Sequence, residues 1–186
     1  MDLRIDVVVL VLLVCAIQGL AVADNKVTWT LTDDGNGHVY QAMYVPGGIT
    51  WSDAMAAAKS MPDIDGHPAH LVTITTPEEN KFVYNLVSDD RYWVQDTRGP
   101  ENYLGPWLGG YQPDGSREPD GGWTWVTGEP FSYKNWASGE PNDYGGESRL
   151  VFIGKGTPKS PMWNDWLPDA KSKGYIVEWD TLRRYY

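Results

Sequence analysis

Cysteine is nearly absent from this sequence: there is one, Cys15, in 186 residues. A single cysteine cannot form a disulfide within the chain, although small exported domains commonly rely on such cross-links. A chain of this length can bury enough apolar surface to fold without them. We therefore expect packing to hold the domain together, with a bound metal ion as a second possible cross-link.

Positive charge is also scarce. The chain has 15 Lys and Arg residues against 25 Asp and Glu, a formal net charge of −10. This deficit argues against a nucleic-acid partner, whose phosphates need a basic face, and against an anionic membrane surface. An excess of carboxylates suits hard cations such as Ca²⁺, which bind oxygen ligands.

A long apolar run occurs at the N-terminus, over residues 7–16, and Ala-Val-Ala follows at 21–23. A short apolar stretch before a small-x-small site is typical of a secretory signal peptide. We predict that residues 1–23 are a signal peptide, that residues 24–186 form one domain, and that the protein is secreted. An uncleaved anchor is the alternative, disfavoured because the run is short for a bilayer span.

The remaining pattern predicts an α+β fold. A helix is expected over residues 54–61, after a capping-box-like start at residues 50–53 with Thr50 as the cap, and a second begins at the Thr76 cap with Pro77 in its first turn. The strands surround these helices without regular alternation, which favours α+β over a βαβ arrangement. Strands are predicted over residues 27–32, 39–44, 70–74, 107–110, 123–126, 150–153, 162–166 and 175–180.

Residues 128–147 have no helical or strand period, and a loop of that length in a compact domain is usually functional. The loop contains Glu140-Pro141-Asn142, and Trp163-Asn164-Asp165 follows about twenty residues later. Carboxylate and amide oxygens of this kind suit a weak calcium site with open coordination positions. The candidate ligands are Glu140, Asn142, Glu147, Asn164 and Asp165.

A sugar could fill the open positions of such a site. Two adjacent hydroxyls can coordinate the ion while they donate to Glu140 and accept from the Asn142 amide. Pro141 offers a cis peptide bond between these two residues. The chain is rich in Trp (10) and Tyr (11), which either fill a core or stack on sugars. Tyr144, within the loop, is the candidate for stacking.

These motifs resemble the C-type lectin-like domain family, and within it the Glu-Pro-Asn, mannose-type subgroup. The resemblance implies a double-looped fold with two helices, short antiparallel sheets and a long calcium-binding loop. It also implies that the five candidate ligands form the principal calcium and sugar site, and that the protein is not an enzyme. The supporting segments are WSDA (51–54), HLVTI (70–74), WLGG (107–110), WTWVTG (123–128), NWASGEPN (135–142), WND (163–165) and YIVEW (175–179).

The sequence departs from the family pattern where disulfides are usual. Ala58 and Val177 stand where the long-range pair is expected, and Arg149 and Pro168 stand near the second pair. Glu147 also lies one residue closer to Glu140 than in common members.

The leading interpretation is a secreted, calcium-dependent lectin for glycans of the mannose, glucose or fucose type. A calcium-stabilised protein-interaction or matrix module without sugar binding is the alternative. A glycosidase would need two loop carboxylates free of metal. His38, His67 and His70 are too scattered in sequence to predict a zinc site. The oligomeric state stays open.

Overall fold

The structure is a computed structural model, and it describes residues 20–33 and 35–181. Most of the predicted signal peptide, residues 1–19, lies outside these ranges. The last residues of that segment are described, and Val22–Ala23 form a short strand, β1, which pairs antiparallel with the third strand. Whether the chain is cleaved before Asp24 stays a prediction.

The described chain contains ten strands and two α-helices. The helices are α1 (Trp51–Lys59) and α2 (Pro77–Leu86), and short 3₁₀ turns lie at Leu31–Asp33 and Asp90–Tyr92. The strands after β1 are β2 (Val27–Thr28), β3 (Val39–Ile49), β4 (Ala69–Leu71), β5 (Val94–Gln95), β6 (Tyr103–Tyr111), β7 (Thr124–Trp125), β8 (Arg149–Gly154), β9 (Met162–Trp166) and β10 (Ser172–Trp179).

Both helices begin at the caps that the sequence predicts. The Thr50 hydroxyl accepts from the Asp53 backbone N–H at 3.2 Å, and the Thr76 hydroxyl accepts from the Glu79 N–H at 3.1 Å. Each contact satisfies a backbone donor that the first helical turn leaves without a partner. The two predicted helices are confirmed, α1 starting three residues earlier than expected.

The strands form one mixed sheet, in the order β1-β3-β10-β6-β8-β9, with the short strands attached beside this path. The α+β class and the expected two helices with a sheet are confirmed. The expected antiparallel pairing holds for every pair of named strands in the described chain except one. The C-terminal strand β10 lies in the middle of the sheet, antiparallel to β3 and β4 and parallel to β6.

Two predicted strands end at least three residues early, and three others, β3, β6 and β10, begin or end beyond their predicted bounds. The strand expected over 27–32 ends at Thr28, because the Thr30 carbonyl accepts from the Asp33 and Gly35 N–H groups and turns the chain. The strand expected over 70–74 ends at Leu71, and the Thr73 N–H binds the Glu178 carboxylate. Local side-chain and turn contacts therefore override the β-propensity of both segments.

Two clusters of buried side chains form the core. In one of them Trp163 of β9 is fully buried, with the rings of Trp125 and Tyr133 edge-on at 5.7 and 5.3 Å. In the other, Ala58 and Val177 are both fully buried beside large aromatic side chains. Apolar packing therefore occupies the positions where the resemblance placed a disulfide.

None of the described helices, over residues 20–33 and 35–181, is long and apolar enough to cross a membrane.

Candidate functional site

The long loop lies against β9. The Ala137 N–H donates to the Trp163 carbonyl at 2.9 Å, and the Trp163 N–H donates to the Asn135 carbonyl at 2.8 Å. Because Trp163 is buried in the aromatic cluster, these bonds fix the loop relative to the residues that follow it in β9. The two separated motifs, Glu140-Pro141-Asn142 and Trp163-Asn164-Asp165, consequently meet.

An open cavity of about 250 Å³ lies at this meeting point. Five of the six residues that the sequence predicts for the site line it: Glu140, Asn142, Tyr144, Glu147 and Asn164. Carboxylate and amide groups from the loop and from β9 thus share one concave surface. This is the arrangement that binding sites for small polar ligands use.

Asp165 is the sixth predicted residue, and the structure places it beneath the loop. Its side chain is fully buried and is not part of the cavity lining. Its carboxylate accepts from the Asn142 N–H at 3.0 and 3.1 Å and from the Asp143 N–H at 2.7 Å. These are charge-assisted hydrogen bonds, so Asp165 holds the backbone of the loop in place.

Glu140 and Asn142 face one another across a cis peptide bond between Glu140 and Pro141, the geometry that the sequence analysis considered. The Asn142 amide donates to Glu140 Oε2. Glu140 Oε1 accepts from Lys155 Nζ at 2.8 Å, and only 4% of the Glu140 side chain is exposed. The two residues therefore stand as acceptor and donor at the same edge of the cavity.

Glu147 is buried, with 2% of its side chain exposed, and Arg98 donates to its Oε1. The Tyr144 N–H donates to its Oε2 at 3.3 Å. Burial and, to a lesser extent, the nearby Asp165 raise the pKa of Glu147 to about 7, against the opposing effect of Arg98. The site thus holds carboxylates that disfavour one another's ionisation.

Burial also raises the pKa of Asp165, although the loop N–H groups lower it, and the charge of Glu140 contributes to the increase. Carboxylates that are both desolvated and mutually repelling are stabilised by any cation placed among them. The structure contains two such cations of its own, Arg98 and Lys155.

Three further residues line the cavity that no sequence motif predicted: Arg98, Lys155 and Trp166. The Arg98 guanidinium lies 3.9 Å from the centroid of the Trp166 ring and donates to the Tyr144 carbonyl at 3.0 Å. Lys155 also donates to the Ser138 carbonyl at 2.7 Å. Both cations come from segments without a recognisable motif, so only the tertiary structure identifies them.

The other predicted residues differ in exposure. Asn164 is 3% exposed, and its amide donates to the backbone carbonyl of Asp165. The Tyr144 side chain is 67% exposed, with its ring centroid 5.3 Å from the Arg98 guanidinium. Tyr144 is therefore a flat aromatic surface, open to solvent, at the mouth of the cavity.

Comparison with known proteins assigns the chain to a family. The Lectin C-type domain family matches residues 48–176. Perlucin-like protein from Mytilus galloprovincialis is 28% identical over 134 residues, 72% of either chain. Lectin BRA-3 from Megabalanus rosa is 28% identical over 112 residues, 59% of this chain and 52% of that protein. The chain spans about half or less of several curated relatives.

Among solved structures, the cow C-type carbohydrate-recognition domain of CD23, determined in the presence of GlcNAc2Man3 oligosaccharide, is 25% identical. The TM-score is 0.53, over 76% of this chain and 86% of that domain. The family match covers more than half of the chain and includes the loop and β9. The chain therefore belongs to the C-type lectin domain family.

Proposed function

We propose that this protein is a calcium-dependent carbohydrate-binding lectin for sugars of the mannose, glucose or fucose type. The observation that carries the proposal is the convergence of Glu140, Asn142, Glu147 and Asn164 on one open cavity. The relatives named as lectins, and the CD23 domain determined with an oligosaccharide, support it.

The residues present fit Ca²⁺. Carboxylate and amide oxygens are the ligands that this ion prefers, and C-type lectin domains generally bind it. The buried carboxylates of Glu147 and Glu140 already form ion pairs with Arg98 and Lys155, which indicates that positive charge stabilises this site. Glu140, Asn142, Glu147, Asn164 and Asp165 would hold the ion, which when bound would coordinate two adjacent hydroxyls of a sugar.

The chain's own side chains would select the sugar. Glu140 accepts a hydrogen bond from one hydroxyl, and the Asn142 amide donates to the other, so their order distinguishes hydroxyl geometries. Tyr144 supplies a ring face at the mouth of the cavity on which the sugar stacks. Besides its charge at the ion site, Asp165 holds the backbone that carries Asn142.

We further propose a binding protein rather than an enzyme, secreted after removal of residues 1–23, whose partners are glycans. In the described structure Asp24 contacts Arg91 and Tyr92, so the predicted start of the mature chain is tied to the domain. A calcium-stabilised protein-interaction module remains the alternative, because the exposed loop offers a surface for a protein as well.

A glycan array probed with and without EDTA tests the function. We expect binding to mannose-, glucose- or fucose-terminated glycans in calcium, and its loss in EDTA. Glu140→Gln is expected to lose this binding, whereas Glu129→Gln, a surface substitution of the same kind, is expected to keep it. Binding that is equal in EDTA would refute the calcium-dependent mechanism, and no glycan binding in calcium would favour the interaction module.

Arg98 competes with a bound cation for Glu147. We expect Arg98→Met, which keeps an unbranched side chain over Trp166, to tighten calcium binding about 5–30-fold, equivalent to about 1–2 kcal/mol. The reason is that the buried carboxylate, kept ionised by measuring well above its pKa of about 7, then lacks its internal counter-charge and gains more from the ion. Isothermal titration with Ca²⁺ measures the change.

Arg117→Met is the matched control, because Arg117 pairs with Asp120 on the surface, with 85% and 64% of the two side chains exposed. We expect no change in calcium affinity there. If Arg98→Met binds calcium equally well or more weakly than the wild type, Arg98 does not compete with the ion for Glu147 and is instead part of the calcium-bound site.

A further inference from the structure

A second group of titratable side chains lies where β3, β4 and β10 meet. The central strand β10 pairs with β3 on one side and with β4 on the other, with Glu178 opposite Tyr40 and His70. His38, immediately before β3, thereby comes beside Glu178 and Asp180 at the end of β10. Two histidines that are remote in sequence therefore reach one place, contrary to the expectation from their spacing.

Three potential ligand atoms converge in this group. His38 Nδ1 lies 2.7 Å from Glu178 Oε1 and 3.5 Å from Asp180 Oδ1. The ligand atoms of the three residues all lie within 4.8 Å of one another. In a tetrahedral zinc site, with bonds of about 2.0–2.2 Å, the ligand atoms stand roughly 3.3–3.6 Å apart. The spacing of His38 and Asp180 fits this range, and the shorter spacing of His38 and Glu178 is that of a hydrogen bond, which a bound ion would replace.

The carboxylates of the tripod are fixed by further contacts. Glu178 Oε2 accepts from the Thr73 N–H at 2.8 Å, which leaves Oε1 directed at His38. His70 Nε2 lies 3.0 Å from Asp180 Oδ1, and His70 Nδ1 lies 2.9 Å from the Leu71 carbonyl. Both nitrogens of His70 face acceptors, so an imidazolium donates to each. Outer contacts of this kind orient the ligands of metal sites.

We propose that His38 Nδ1, Glu178 Oε1 and Asp180 Oδ1 bind a divalent transition-metal ion of the zinc class, with water completing the coordination. An imidazole nitrogen among the ligands favours zinc over Ca²⁺, which takes oxygen ligands. His70 is a positioning residue that holds Asp180. The Asp180 side chain is 46% exposed and that of Glu178 is 2% exposed, so the ion enters from the Asp180 side.

Such an ion would join the beginning of β3 to the end of β10. These strands form the most extensive pairing in the sheet but come from opposite ends of the domain. The Thr181 hydroxyl donates to the Gly37 carbonyl, so a hydrogen bond next to the cluster already connects these two parts of the chain. The site is separate from the sugar cavity and does not depend on the proposed lectin function.

Titration of the metal-free full chain with Zn²⁺, in buffer containing calcium, tests the proposal by calorimetry and by melting temperature. We expect one equivalent to bind and the melting temperature to rise, and Co²⁺ to give the visible absorption of a tetrahedral centre. His38→Gln and Asp180→Asn are each expected to abolish the one-equivalent response. His70→Gln is expected to weaken binding about 10–100-fold.

Two variants serve as controls. His67→Gln removes the remaining histidine, and Glu140→Gln alters the sugar site; both are expected to keep the full Zn²⁺ response. Glu178 is left unchanged because it is buried, and circular dichroism in EDTA verifies that each variant folds. Absence of one-equivalent binding in the wild type, or binding that persists in His38→Gln, would overturn the proposal.

Discussion

Calcium is expected to raise the melting temperature of this protein by about 4–8 °C, and Asp165→Asn is expected to remove most of that increase. A ligand that binds the native state stabilises it by RT ln(1 + [L]/Kd). With a Kd of about 0.1 mM, as in extracellular calcium modules, and about 2 mM calcium, this is roughly 2 kcal/mol. For a domain of this size, 1 kcal/mol shifts the melting temperature by about 2–4 °C.

Asp165 contributes to the calcium site in two ways. It contributes negative charge next to Glu140 and Glu147, and it accepts from the Asn142 and Asp143 N–H groups. Even a residue outside the first coordination sphere commonly contributes about 10–100-fold to metal affinity. A loss of that size lowers the calcium-induced shift to below about 3 °C.

Asparagine is preferable to alanine for this test, because its carbonyl oxygen still accepts from the loop backbone and no cavity is created. Asp120→Asn, which makes the same charge change at a surface residue, is the control and is expected to keep the full shift. Differential scanning calorimetry in calcium and in EDTA measures both variants. A wild-type melting temperature that is identical in the two buffers would contradict the calcium site altogether.

Exchanging the acceptor and the donor is expected to change sugar selectivity. In the double variant Glu140→Gln with Asn142→Asp, mannose affinity is expected to fall about 10–100-fold. The reason is that each polar group left mispaired once the sugar covers it costs about 1–3 kcal/mol, and 1.4 kcal/mol corresponds to tenfold in affinity. Competition with free mannose and galactose on a mannose-coated surface measures the change, and relative galactose affinity is expected to rise.

The double variant contains its own control, because it keeps the number of carboxylates in the cavity. Its calcium-induced shift in melting temperature is therefore expected to persist. If the shift is lost, any loss of sugar binding results from weaker calcium binding and not from the changed pairing with the sugar hydroxyls. Wild-type protein that binds galactose as well as mannose in calcium would show that Glu140 and Asn142 do not set selectivity.

Much of the architecture was predictable because it depends on local patterns. The caps at Thr50 and Thr76 set the helix starts, since the residues that satisfy the first helical turn lie within three positions of the cap. The candidate site was likewise signalled by two short motifs. The long loop was identifiable because it lacks any period that would bury one face.

What the sequence by itself determined, then, was the α+β class, the family and five residues of the cavity lining. Only the tertiary structure decided that Arg98 and Lys155 neutralise Glu147 and Glu140, and that Asp165 lies under the loop. It also decided that His38 meets Glu178 and Asp180, through the central position of β10. The physical reason is that ion pairs and buried contacts form between residues distant in sequence, through strand pairing and packing that no local pattern encodes.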